Sequence, residues 1–122
     1  MTFGERLREL RKQSGLSQRD LAERVDIDFT YLSKIENQRV APPSEAVIGK
    51  LAHELANTLR LGETELADEL ILLAGKIPSD IARIISQDRA TALRYLRSLN
   101  AEVHMASDWA EAVREETKGD RD

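Results

Sequence analysis

The stretch that most constrains this chain is GLSQRDLAERVDIDFTYLSKIENQR, residues 15–39. It holds two short amphipathic segments with only "DID" between them. So short a link holds the second segment tightly against the first. Leu21, Ala22 and Val25 share one face of the first segment; Leu32 and Ile35 share the inner face of the second. A helix turns about 100° per residue. With Leu32 and Ile35 inward, Thr30, Ser33, Lys34 and Asn37 gather on the opposite face. Asp28, Phe29 and Thr30 then lie at the exposed N-terminal end. A second helix of this kind fits a DNA major groove, with its N-terminal residues at base edges.

The rest of the chain reads as helix, with no period-2 strand pattern. Thr2 followed by Glu5 is a capping box opening a first helix with Leu7 and Leu10; Phe3 is near the staple position. Gly15 ends it. Ser17 caps the second helix and Asp28 the third. "RVAPPSEA" is extended, because each proline biases its predecessor away from helix. Ser44 caps a fourth helix with Val47, Ile48, Leu51 and Leu55, and "ETELADELILLAGK" is a fifth with Leu66, Leu70, Leu73 and Ala74. A short helix follows in "PSDIARIISQ", with Ile81, Ile84 and Ile85. From Asp88 a long segment places Leu96, Leu99, Val103, Ala106, Ala110 and Val113 at a and d positions of a seven-residue repeat. Two readings stand for that run: a coiled-coil seam, or a helix packed on its own chain.

The chain's 122 residues fit one compact domain or a small domain with an appendage. Net charge is −4, unevenly spread: residues 1–60 hold ten Lys/Arg against nine Asp/Glu, residues 61–122 eight against thirteen. This is not the basic footprint of a non-specific nucleic-acid binder. Any anion-binding surface must come from local placement. There is no cysteine, so no disulfide framework and no thiolate metal site, which fits a reducing cytoplasm. No apolar run approaches the ~20 residues that span a bilayer. The charged, amphipathic "MTFGERLREL" is not a secretory signal. A soluble cytoplasmic protein without membrane partners is expected.

The pattern "LSQ…LA…V…I…YLSKIEN" is carried by Leu16, Ser17, Gln18, Leu21, Ala22, Val25, Ile27, Tyr31, Leu32, Ser33, Lys34, Ile35, Glu36 and Asn37. It resembles the helix-turn-helix of the lambdoid phage repressor and Cro family, also called the XRE family. The resemblance extends back to "RLRELRK" and forward through "PPSEAVIGKLAHEL", covering residues 3 to about 60. It implies an all-α fold: a five-helix lambda-repressor-like DNA-binding domain, then a helical C-terminal dimerisation extension. The expected divisions are a DNA-binding domain at 1–62, a helical dimerisation or regulatory region at 63–115, and a frayed polar tail at 116–122.

The family's roles, laid on matching positions, imply base contacts from Gln18, Phe29, Thr30 and Lys34. Gln18 also braces the recognition helix. Lys34 can donate to guanine O6 and N7; Thr30 and Phe29 can meet a thymine methyl. Ser17, Tyr31, Asn37, Arg39 and Arg11 fall where family members touch phosphate. Arg11 and Glu36 match a salt bridge between the first and third helices that sets the recognition helix's angle. Two positions depart from the pattern. Asp26 stands in the turn where the family often has Gly, and a left-handed backbone is less easy there. Phe29 is unusually apolar for an exposed first turn: it meets a methyl or sugar, or it folds back as a plug.

Taken alone, each of these residues is an ordinary solvated side chain; the pattern is what assigns them. His53 and His104 have no ligand-spaced partners beyond Asp108, and two ligands rarely make a metal site. Glu115 and Glu116 belong to a solvated run. No phosphate loop, nucleophile elbow or Ser/His/Asp pattern is present, so no enzyme, cofactor or metal is expected. One helix-turn-helix covers one half-site, and specific binding usually needs two. A homodimer is therefore expected, with Leu93, Leu96, Leu99, Val103, Ala106, Trp109 and Val113 at the contact. The expected function is a sequence-specific regulator of double-stranded DNA, a dimeric repressor of a near-palindromic operator. The rivals are an antitoxin that masks a toxin and represses its own operon, and a protein-interaction adaptor.

Overall fold

The computed structural model describes residues 1–101. Those residues form helices α1 (Phe3–Gln13), α2 (Gln18–Arg24), α3 (Phe29–Glu36), α4 (Glu45–Leu59), α5 (Glu63–Leu73) and α6 (Ser79–Gln87), with no strand among them. A further helical run occupies residues 89–101. Contacts divide the chain into two compact units, Met1–Ser79 and Asp80 onward.

The first four helices, α1 to α4, each start at a side-chain cap. The Thr2 hydroxyl accepts from the Glu5 N–H while Glu5 accepts from the Thr2 N–H, a closed capping box. Ser17 and Asp20 repeat the device at α2. Asp28 caps α3, accepting from the N–H groups of Thr30 at 2.7 Å and Tyr31 at 3.3 Å. Ser44 caps α4 by accepting from the Val47 N–H. Gly15, at φ +71°, closes α1 in the left-handed conformation that glycine adopts without strain. Asp26 is also left-handed, at φ +56°, as its place in the turn implies. Gln38 and Arg60 share that region without a sequence signal that marks them.

The core of this unit joins all five helices. Leu7, Leu10, Leu21, Leu32, Ile48, Leu51, Leu55 and Leu70 are fully buried. α5 contributes Leu66, Leu70 and Ile71 and packs on α4 and α1. Arg6 on α1 reaches Glu69 on α5 at 2.7 Å. The first unit therefore extends well past the expected boundary at residue 62. The reason is that Leu66, Leu70 and Ile71 of α5 are buried in the same core as α1 and α4.

Gly4 marks the closest approach in the bundle. A Cβ built there would stand 2.5 Å from the Ile35 carbonyl oxygen and 2.8 Å from that of Glu36. Both are backbone atoms, which cannot step aside as a side chain can. The N-terminus of α1 and the C-terminus of α3 thus meet backbone to backbone, and only glycine fits.

Within the second unit, no residue of α6 is buried; Ile81 and Ile84 are largely exposed. In the 89–101 run Leu93 is half-buried, while Tyr95, Leu96 and Leu99 are exposed. Val103, Ala106, Trp109 and Val113, with His104, Asp108 and the tail, lie outside the described residues.

Candidate nucleic-acid interface

α3 is fastened from behind by apolar burial and by one ionic cluster. Leu32 is fully buried and Ile35 nearly so, each side chain adding about 1.5–3 kcal/mol over its exposed state. Glu36, in the last turn, is buried too, its side chain wholly removed from solvent. A buried carboxylate is tolerable only when paired and hydrogen-bonded. Here the partners converge from two other helices. Arg11 on α1 donates from Nε to Oε2 at 2.7 Å and from Nη2 to Oε1 at 3.0 Å, a bidentate fork. Gln18 on α2 donates from Nε2 to Oε1 at 3.1 Å. Arg8, one turn before Arg11, adds a contact from Nε at 3.4 Å.

Arg11 spends its remaining reach inward, donating from Nη1 to the Leu16 carbonyl at 2.9 Å. That carbonyl lies in the α1–α2 connection, so one guanidinium ties α1, the connection and α3 together. Arg11 is buried, and its donors are engaged by Glu36 and the Leu16 carbonyl.

The outer face of α3 is as the helical periodicity places it. Thr30 and Lys34 are exposed, Ser33 and Tyr31 half-buried, and Tyr31 packs partly on the core. Lys34 and Arg39 make no ion pair among the described residues. Asn37 follows α3, donating from Nδ2 to the Ser33 carbonyl at 2.9 Å and accepting from Arg8. Ser17 stands exposed at the start of α2, its hydroxyl engaged by the Asp20 N–H. That same hydroxyl, and next the Ser17 backbone N–H, hold the Asp20 carboxyl below its ordinary pKa of 3.8.

Phe29 does not fold back into the core. Its ring is 38% exposed, and the Arg19 guanidinium lies over it, 4.8 Å from the centroid. Cation–π contacts of this geometry are worth about 0.5–1 kcal/mol at exposed sites. The structure therefore brings Ser17, Gln18, Phe29, Thr30, Lys34, Asn37 and Arg39 to the two helices of one motif and the loop after it.

Three residues at this site were not singled out from sequence: Arg8, Arg19 and Gly4. Arg8 lies three positions before Arg11, hence on the same face of α1, and that spacing was the available signal. Arg19 meets Phe29 across the α2–α3 turn and Gly4 meets α3 from a helix distant in sequence; neither contact follows from spacing within one helix. Elsewhere, a shallow cleft of about 530 Å³ between α2, α4 and α5 holds an Arg24–Glu54 ion pair at 2.8 Å and a His53–Glu63 hydrogen bond at 3.0 Å. Among the described residues, no group of three or more His, Asp or Glu is placed to hold a metal, and no helix is long and apolar enough to cross a membrane.

Comparison with known proteins matches residues 2–69 to the family model for a helix-turn-helix domain. The chain is similar to the immunity repressor protein of Bacillus phage phi105, at 33% identity over 92 residues. That alignment takes in 73% of this chain and 63% of the repressor, so the chain spans a little under two thirds of its relative. Among solved structures it is similar to a chain of the SinR protein/SinI protein complex, at 24% identity and a TM-score of 0.46, covering 87% of this chain and 99% of that one. With more than half of its length matched, this chain belongs to the helix-turn-helix domain family.

Proposed function

We propose that this protein is a sequence-specific binder of double-stranded DNA that acts as a dimeric repressor of a near-palindromic operator. The observation that carries the reading is the exposed face of α3: chemically varied outside, rigidly held behind by Leu32, Ile35 and the Arg11–Glu36–Gln18 cluster. Thr30 and Lys34 face the base edges, with Phe29 and Gln18 at the leading end. Ser17, Tyr31, Asn37 and Arg39 grip the flanking phosphates. Arg11 is left out of that contact set and serves to aim the helix with Glu36. Similarity to a phage immunity repressor supports repression, which needs only occupancy of a promoter.

The second unit is the proposed dimer module. Ile81, Ile84, Leu96 and Leu99 present exposed apolar surface at helical spacing, which a second copy would cover. Leu93 and the further positions Val103, Ala106, Trp109 and Val113 continue that stripe in sequence. The same surface suits a toxin or another regulatory protein, and a second polypeptide co-purifying at fixed stoichiometry would favour that reading.

Selection of bound duplexes from a random DNA pool tests the function. A short motif recurring in inverted orientation at a fixed spacing, near one helical turn, supports a dimer on a two-fold site. Enrichment of nothing above background contradicts DNA reading and favours an adaptor that binds only protein. Light scattering gives the complementary test: a monomer at micromolar concentration contradicts the dimer.

A further inference from the structure

We infer that Arg19 is a specificity-determining residue, reading a guanine through a guanidinium that Phe29 holds in place. The inference rests on the DNA-binding reading above and adds a residue that the family pattern did not supply. Arg19 is the second residue of α2, and Phe29 is the first of α3. The turn between the two helices brings these leading ends together, and the Arg19 guanidinium settles 4.8 Å from the centre of the Phe29 ring. Arg19 makes no ion pair or side-chain hydrogen bond among the described residues. This is notable beside Asp20, Glu23 and Asp28, which lie close in sequence and do not capture it.

Stacking is the arrangement that fixes a guanidinium without consuming its donors. Arg presents five N–H groups in a planar fork around its edge, and an aromatic face touches none of them. An ion pair would orient the group equally well but would occupy the fork. Here the guanidinium is held over the ring and its fork is left free of other side chains, at the leading ends of α2 and α3. The bidentate partner it matches is the O6 and N7 edge of guanine. Phe29 is then a positioning residue. Its exposure, puzzling for an apolar first-turn side chain, follows from that role, because one ring face must stay available to Arg19.

Selection from a random duplex pool with the full chain tests this, run on the wild type and on R19A, R19K, F29L and F29Y. The wild type is expected to enrich a half-site with a guanine at one position, preferred about tenfold or more. R19A and R19K should both lose that preference, since lysine keeps the charge but not the fork. F29L should weaken the same position, and F29Y, which retains a ring face, should keep it. The dependence of affinity on salt should stay near wild type in F29L, because no cation is removed. Both positions changed are exposed, and unfolding transitions matching the wild type establish that folding is intact. If the wild type enriches a half-site and R19A enriches the same one, the inference is wrong and DNA binding stands. A salt slope shallower by about one in R19A, with the consensus unchanged, makes Arg19 a phosphate contact and equally overturns it. If the wild type enriches nothing, the DNA-binding reading fails, and the assignment of Arg19 fails with it.

Discussion

The Glu36 carboxylate is clasped by Arg11 through two hydrogen bonds of 2.7 and 3.0 Å, although 25 residues separate them. The pair ties the last turn of α3 to α1 on its buried side; in the proposed function it fixes the angle at which the exposed face is presented. Losing one partner strands the other. Arg11→Met should cost about 3–5 kcal/mol in denaturant unfolding, because Glu36 stays buried with Gln18 and Arg8 as its only partners. The double variant Arg11→Met/Glu36→Leu should recover most of that stability. It should not recover DNA affinity, since apolar packing replaces the energy of the bridge but not its geometry.

Gly4 offers a sign test. In an ordinary helix interior, Gly→Ala stabilises by roughly 0.5–1 kcal/mol. At Gly4 the added carbon meets two backbone oxygens of α3 at 2.5 and 2.8 Å. Gly4→Ala should therefore destabilise, by about 1–3 kcal/mol as overpacking does, and lower the melting temperature. It should also weaken DNA binding, because α3 must shift to admit the methyl.

The turn at Asp26 holds a strained residue, at φ +56°. Asp26→Gly should stabilise the fold by up to about 1 kcal/mol, since Gly accepts that backbone freely. Asp26→Val should destabilise by more than that, because a β-branched residue resists the left-handed region. Urea unfolding of the two variants reads both signs.

Asp20 supplies a pH dependence. Its folded pKa lies below the ordinary 3.8, held down first by the Ser17 hydroxyl. A depressed carboxyl contributes stability that is present above the unfolded pKa and is lost as pH falls through the folded value. The stability difference between wild type and Asp20→Asn should hence be constant above about pH 5. It should shrink as pH drops below 3.8. Unfolding titrations of both proteins over that range check it.

The local parts of this architecture were legible in the sequence. Thr2, Ser17, Asp28 and Ser44 cap their helices because a short oxygen-bearing side chain before an apolar periodic run meets the free N–H groups in its own first turn. The left-handed turn at Asp26 was legible from its position, and the inward set Leu32 and Ile35 from the helical period. The Arg11–Glu36 bridge was visible only through family resemblance, since nothing within either helix names its partner. Arg8 and Gln18 converging on Glu36, Gly4 against Ile35, and Arg19 over Phe29 all depend on how helices cross. α5 was legible as a helix with an apolar stripe at Leu66 and Leu70, but which neighbours cover that stripe depends on how the helices cross.

The central claim is that the exposed face of α3 reads base sequence. Its most direct test is the affinity of Lys34→Ala, beside the wild type, for the selected operator and for random duplex at one salt concentration. A lost base contact should weaken operator binding by about 1–3 kcal/mol and random binding far less. An equal loss on both duplexes would contradict the claim, since Lys34 would then be touching phosphate.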